Sequence, residues 1–165
     1  MIRILFICMG NTCRSPIAEG VARAVFARSG RDGNISFDSA GTHTPREGER
    51  PDPRARQVAA SRGYDIAGLK SRRVRQEDFE KFDLILAMDK TNLANLIGIC
   101  PSEHRHKVHL FLSYVDETCP PEVPDPYYGS LAGFQRVFDL CEQGAEALIQ
   151  AVLSKTHFFR HNIES

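Results

Sequence analysis

Cys8 and Arg14 have five residues between them and a serine follows, in the stretch Cys8-Met9-Gly10-Asn11-Thr12-Cys13-Arg14-Ser15-Pro16. Those types at that spacing suit attack of a sulfur on phosphorus. A phosphate dianion needs donors wrapped around three equatorial oxygens, and a guanidinium fork supplies two of them in one plane. The sulfur must face phosphorus from below, on the axis of attack. Backbone N–H groups that hold the anion also favour the thiolate over the thiol. Ser15 is placed to donate a hydrogen bond to the sulfur, steadying it as nucleophile and as leaving group.

A bare C-x5-R spacing is frequent by chance, and its bland reading is a buried cysteine beside a surface arginine. The flanking elements decide between the two. The apolar run Ile4-Leu5-Phe6-Ile7 predicts a strand covered on both faces, with Cys8 at its carboxyl end. From Pro16 to Ser29 the pattern is helical, with Ile17, Ala18, Val21, Ala22 and Val25 inward, Pro16 in the first turn, Ser15 as cap and Gly30 as stop. A turn between a strand and a helix start aims N–H groups at one point, and the helix terminus adds partial positive charge. Gly10 and Asn11 suit the tight-turn dihedrals. Met9, Gly10, Asn11, Thr12, Cys13 and Ser15 thus form a candidate phosphate-binding loop around Cys8 and Arg14.

Ester cleavage also needs a proton for the departing oxygen. Asp125, in Val123-Pro124-Asp125-Pro126-Tyr127-Tyr128, is the candidate, since flanking prolines stiffen the loop that presents it. Read alone, it is a turn aspartate; beside the Cys8 motif, it is a general acid. Tyr127 and Tyr128 either wall the pocket and stack on an aromatic leaving group, or pack the loop.

Lys plus Arg equals Asp plus Glu at 21 each, so the net charge is zero and no nucleic-acid or membrane partner is expected. Arg46, Arg50, Arg54 and Arg56, then Lys70, Arg72, Arg73 and Arg75, are either solvated surface or a positive rim that draws anions inward. Five cysteines (8, 13, 100, 119 and 141) follow no disulfide or zinc rhythm, which points to a reducing, cytoplasmic setting. No metal or cofactor is expected. His104, His106 and His109 read as surface or packing residues, and Met88 as core.

Further strands are expected over Ile35–Ser39, Asp83–Met88 and Val108–Leu112. Helices are expected over Pro53–Arg62, Gln76–Lys81, Thr91–Ile97 and Leu131–Leu153, the last with Phe134, Val137, Phe138, Cys141, Ala145, Leu148 and Ile149 on one stripe. Strands alternating with helices imply an α/β domain whose parallel sheet carries helices on both faces. Right-handed crossovers then place Cys8, Ser39 to Thr42, Asp89 and the proline-rich loop on one sheet edge. Residues 1–155 read as this domain and 156–165 as a polar tail, expected to fray.

The segments Cys8–Glu19, Ser39-Ala40-Gly41-Thr42, Asp52-Pro53-Arg54-Ala55, Met88-Asp89 and Asp125-Pro126-Tyr127-Tyr128-Gly129 together resemble the low-molecular-weight protein tyrosine phosphatases, over essentially the whole chain. The resemblance implies a four-stranded, flavodoxin-like parallel sheet and metal-free hydrolysis of phosphotyrosine. It implies Cys8 as nucleophile, Arg14 as phosphate clamp and Asp125 as general acid. Asn11 and Ser15 match residues that hold the loop and the thiolate, and Cys13 a second cysteine able to form a reversible disulfide with the nucleophile. The implied intermediate is a cysteinyl phosphate, hydrolysed by water that Asp125 activates. A phosphotyrosine protein is the expected partner, and a monomer or weak homodimer the expected state.

Three residues depart from the family pattern. Leu69 stands where many members carry a histidine that buttresses the loop through the asparagine, so Asn11 must find support elsewhere. Pro45 replaces an aromatic pocket wall. Thr12 stands where tyrosine-specific members usually have isoleucine and arginine phosphatases usually have threonine. A protein arginine phosphatase is therefore the first alternative. Arsenate reduction, for which only Cys100 and Cys119 offer relay thiols, comes next, and a non-catalytic anion or redox module using Cys8 and Cys13 last.

Overall fold

In the computed structural model, which describes residues 1–31 and 33–154, the residues Ile4 to Cys8 of the first strand are all buried. The tail expected to fray lies outside the described residues. Alternation along β1 (Ile2–Cys8) explains the burial. Ile4, Phe6 and Cys8 enter one apolar cluster, and Leu5 and Ile7 enter another on the opposite face. The first cluster lies under α1 (Arg14–Arg28), α2 (Pro53–Ser61) and α5 (Leu131–Ser154). The second is covered by α3 (Gln76–Lys81) and α4 (Lys90–Ile99).

With β2 (Ile35–Gly41), β3 (Leu84–Ala87) and β4 (Val108–Leu110), β1 forms a wholly parallel sheet in the order β2-β1-β3-β4. The chain leaves β1 to one side for β2 and later to the other side for β3. The carboxyl end of β1 is therefore the point where strand order reverses, the place at which open α/β sheets bind their ligands. Cys8 occupies that end, paired with Gly41 of β2.

Two local expectations need correction. Ser15 does not cap α1: the helix begins at Arg14, Cys13 is its N-cap, and no side chain makes the cap hydrogen bond. Ser15 lies inside the first turn and is fully buried, where its hydroxyl is drawn to Cys8 and Asn11 instead. The fourth strand also stops at Leu110, because the chain tightens into a 3-10 turn over Phe111–Tyr114. That turn drives Phe111 edge-on against Phe6 at 5.0 Å and beneath α5 at Gly144. A Cβ at Gly144 would come within 2.6 Å of the Phe111 ring. The expected stop of α1 is found: Gly30 takes a left-handed backbone just past it, and Gly63 does the same past α2.

Candidate active site

Three carbonyls of the loop from Cys8 to Arg14 turn away from it to neighbouring segments. Cys8 O accepts from Thr42 N at 3.0 Å, Met9 O from His43 N at 2.9 Å, and Thr12 O from Asp52 N at 2.8 Å. A planar trans peptide puts N–H opposite C=O, so the N–H groups of Met9, Gly10 and Cys13 face the inside of the loop. The neighbouring chain can approach this closely only at a glycine. A Cβ on Gly41 would lie 2.6 Å from Met9 O.

Cys8 itself is buried, 3 % exposed. Asn11 N donates to Cys8 Sγ at 3.2 Å, and Ser15 Oγ lies 3.0 Å away. Both contacts stabilise negative charge on sulfur. Asn11 is the one non-glycine among the described residues with a left-handed backbone, at φ 57°, a conformation that costs about 1 kcal/mol. Its side chain holds it there. Nδ2 donates to Ser15 Oγ at 2.8 Å and Ser39 Oγ at 3.0 Å, while Oδ1 accepts from Arg72 N at 2.9 Å. Asn11 thus finds its support in a backbone N–H, which no side-chain motif reveals.

Behind Ser39 stands Glu19, 2 % exposed, whose Oε1 accepts from Ser39 Oγ at 2.8 Å. Its Oε2 lies 2.9 Å from Arg23 Nη2 without hydrogen-bond geometry. Burial pushes this carboxyl up to about 7, against the opposing pull of Arg23 and Ser39. Between its ordinary value of 4.5 and about 7, the folded protein keeps a proton that the unfolded chain has released. Stability therefore falls as pH rises across that window. Denaturation midpoints measured against pH should show this slope in wild type and a flatter one in Glu19→Gln, which retains an acceptor for Ser39.

Arg14, 3 % exposed, is aimed by two partners. Nη1 donates to Asp89 Oδ2 at 2.5 Å and to Val123 O at 3.1 Å. Burial opposes its charge, but Asp89, Cys8 and Asp125 outweigh that and raise its pKa. Asp89 Oδ1 also caps α4 by accepting from Asn92 N. The sequence places Asp89 on the same sheet edge as Cys8 but does not pair it with Arg14, since the two lie 75 residues apart. Asp89→Asn can serve one of these two partners but not both. It should lower kcat/KM for an aryl phosphate about tenfold, the worth of one charged hydrogen bond. Asp89→Ala should in addition cost about 1 kcal/mol of stability through the lost cap.

Asp125 reaches the same place from the other side. Its Oδ2 lies 3.8 Å from Arg14 Nη2, and Oδ1 accepts from Tyr127 N at 3.1 Å. Tyr127 and Tyr128 pack edge to face at 4.9 Å, the first 51 % and the second 95 % exposed. Cys13 is buried, and burial together with Asp52 pushes its thiol up to about 12. All five cysteines are free. Cys100 caps the end of α4 and Cys119 contacts Gln143, so neither joins the hydrogen bonds around Cys8. His109 bonds to His106 O, and among the described residues no cluster of His, Cys, Asp or Glu could hold a metal.

Residues 3–157 match the low molecular weight phosphotyrosine protein phosphatase family. The chain belongs to that family. A low molecular weight protein-tyrosine-phosphatase of Streptomyces coelicolor is 39% identical over 153 residues, covering 91% of this chain and 93% of that one. The protein tyrosine phosphatase of Entamoeba histolytica, solved with Hepes in its active site, superposes with a TM-score of 0.88 at 40% identity, over 94% of this chain and 98% of that chain. The arginine phosphatase YwlE, solved with a phosphorylated active-site serine, superposes with a TM-score of 0.85 at 26% identity, over 94% and 99%. This family member is accordingly a protein-tyrosine-phosphatase, a phosphoric monoester hydrolase. No helix among the described residues is long and apolar enough to cross a membrane.

Proposed function

We propose that this phosphatase works through a cysteinyl phosphate on Cys8. The observation that carries the reading is the convergence of Asn11 N and Ser15 Oγ on Cys8 Sγ, in a loop faced by Arg14 and Asp125. Phosphate seats on the inward N–H groups and the Arg14 fork, which balance the charge of the transferring group. Sulfur attacks in line while Asp125 gives its proton to the leaving phenolate, breaking the ester P–O bond and forming P–S. Asp125, now ionised, takes a proton from water, the water oxygen attacks phosphorus, and Cys8 leaves as thiolate, held by Ser15 and Asn11 N.

The proposed substrate is a phosphotyrosine protein, with Tyr127 and Tyr128 offering aromatic surface beside Asp125. Thr12 favours a second reading, phosphoarginine, the activity that YwlE is named for. Cys13 is the proposed partner for reversible oxidation of Cys8. We place the protein in the cytoplasm as a monomer or weak homodimer; its five free thiols suit a reducing compartment.

Pre-steady-state hydrolysis of para-nitrophenyl phosphate without added metal tests the mechanism. A nitrophenolate burst lost in Cys8→Ser supports it, and undiminished turnover in that variant sinks it. Phosphotyrosine and phosphoarginine peptides compared on wild type and Thr12→Ile decide the substrate. Preference for phosphotyrosine in wild type is the expected result, and preference for phosphoarginine that Thr12→Ile reverses would assign the second reading.

A further inference from the structure

The loop that carries Asp125 is anchored before the aspartate by Val123. Its N–H donates to Met88 O at 2.8 Å, and its carbonyl accepts from Arg14 Nη1 at 3.1 Å. After the aspartate, the bond from Gly129 N to Pro126 O closes a turn inside the loop and ties it to nothing else. Among the described residues, one side chain from outside the loop hydrogen-bonds to 126–130, and it is Arg54 of α2. Arg54 Nη2 donates to Tyr127 O at 2.8 Å and Nη1 to Gly129 O at 3.2 Å. The guanidinium also stacks 5.8 Å from the Tyr127 ring centre and 4.7 Å from that of Phe134 on α5.

Arg54 is itself fixed. Nε donates to Asp52 Oδ1 at 3.1 Å and Nη2 to Asp52 Oδ2 at 3.0 Å. Asp52 N in turn donates to Thr12 O in the phosphate loop. A rigid path therefore runs from the loop under the sulfur, through Asp52 and Arg54, to the two carbonyls just beyond the acid. Four hydrogen bonds occupy a group with five N–H donors, so Arg54 has little left to offer a phosphate.

We propose that Arg54 is a positioning residue for the general acid, strapping the Asp125 loop to the phosphate loop so that the carboxyl meets the leaving oxygen. This rests on the reading of Asp125 as the acid. Protonation matters most for poor leaving groups, so a displaced acid has a signature that simple damage to phosphate binding lacks. The loss must grow as the leaving phenol becomes more basic.

The test measures kcat/KM for a series of aryl phosphates, from para-nitrophenyl to unsubstituted phenyl phosphate. Wild type, Arg54→Met, Arg54→Lys, Asp125→Asn and the double variant Arg54→Met/Asp125→Asn are compared, with inhibition by inorganic phosphate as a check on the phosphate loop. Arg54→Met should lose about threefold on the nitrophenyl ester and about thirtyfold on the phenyl ester, part of the range for a general acid. Its phosphate inhibition constant should stay within about twofold of wild type, since it touches no phosphate ligand. Arg54→Lys keeps the charge but not the fork and should fall between. The double variant should be no worse than Asp125→Asn alone, because a strap cannot matter once the acid is gone.

Equal losses on every ester, or full additivity in the double variant, would overturn the role of Arg54 while Asp125→Asn still steepens the leaving-group dependence. If Asp125→Asn leaves that dependence unchanged, the acid assignment itself falls and the strap falls with it. A variant that fails to fold declares itself by lost phosphate inhibition, and Arg54→Lys then carries the same comparison.

Discussion

Cys8→Ser is expected to lower turnover of para-nitrophenyl phosphate by roughly 10⁴-fold or more, the scale seen when a covalent nucleophile is removed. The geometry explains why so small a change should be so severe. Sγ is served by Asn11 N and Ser15 Oγ, which stabilise an anion already formed but take no proton away. A thiol ionises readily enough to use such a site, whereas a serine hydroxyl needs an adjacent base. Among the described residues, neither histidine nor carboxylate hydrogen-bonds to Cys8, so the substituted oxygen stays protonated and inert. Phosphate binding should survive, because the inward N–H groups and Arg14 are untouched. Stopped-flow absorbance for turnover and calorimetric titration with inorganic phosphate measure the two halves separately. Lost turnover with binding held within a few-fold is the expected pair of results.

Arg14→Lys should cost about 10³-fold in kcat/KM on the same substrate, although the charge is retained. The planar fork offers phosphate a bidentate contact that an ammonium cannot reproduce, and donors aimed at developing charge are each worth about 10²–10³-fold. Arg14 also answers Asp89 and holds the Val123 carbonyl, at the start of the loop that bears Asp125. Arg14→Ala should be worse still, about 10⁴-fold, because it leaves Asp89 unpaired and puts a net negative charge in the seat meant for a dianion. Steady-state kinetics should find most of either loss in kcat. A loss confined to KM would mean that Arg14 binds the ground state only.

Much of this site was legible because its chemistry is local in sequence. Cys8, Asn11, Arg14 and Ser15 lie within one strand-to-helix turn, and the apolar run before it and the helical period after it announce that turn. The parallel sheet that puts Asp89 and Asp125 at the same edge follows from alternation of strands and helices together with crossover handedness. What escaped is long-range and polar. Glu19 reads as an ordinary helix position, yet it is buried behind Ser39 and supports Asn11 through it. Arg72 does its work with a main-chain N–H that carries no residue signature, while its guanidinium joins Asp38 and Asp78. Arg54 and Arg72 read as members of charge clusters, but both are committed to internal ion pairs. The expectation that Ser15 caps α1 fails because a serine before a helical run has two uses, and here its hydroxyl goes to Cys8 and Asn11.

The proposed mechanism requires a phosphorus–sulfur bond at Cys8. Wild type mixed with excess para-nitrophenyl phosphate, quenched in acid during turnover, digested and analysed by mass spectrometry should show a phosphoryl group on the peptide containing Cys8, and none in Cys8→Ser. Turnover at full rate with Cys8 unmodified, or with the phosphoryl group on another residue, would contradict it.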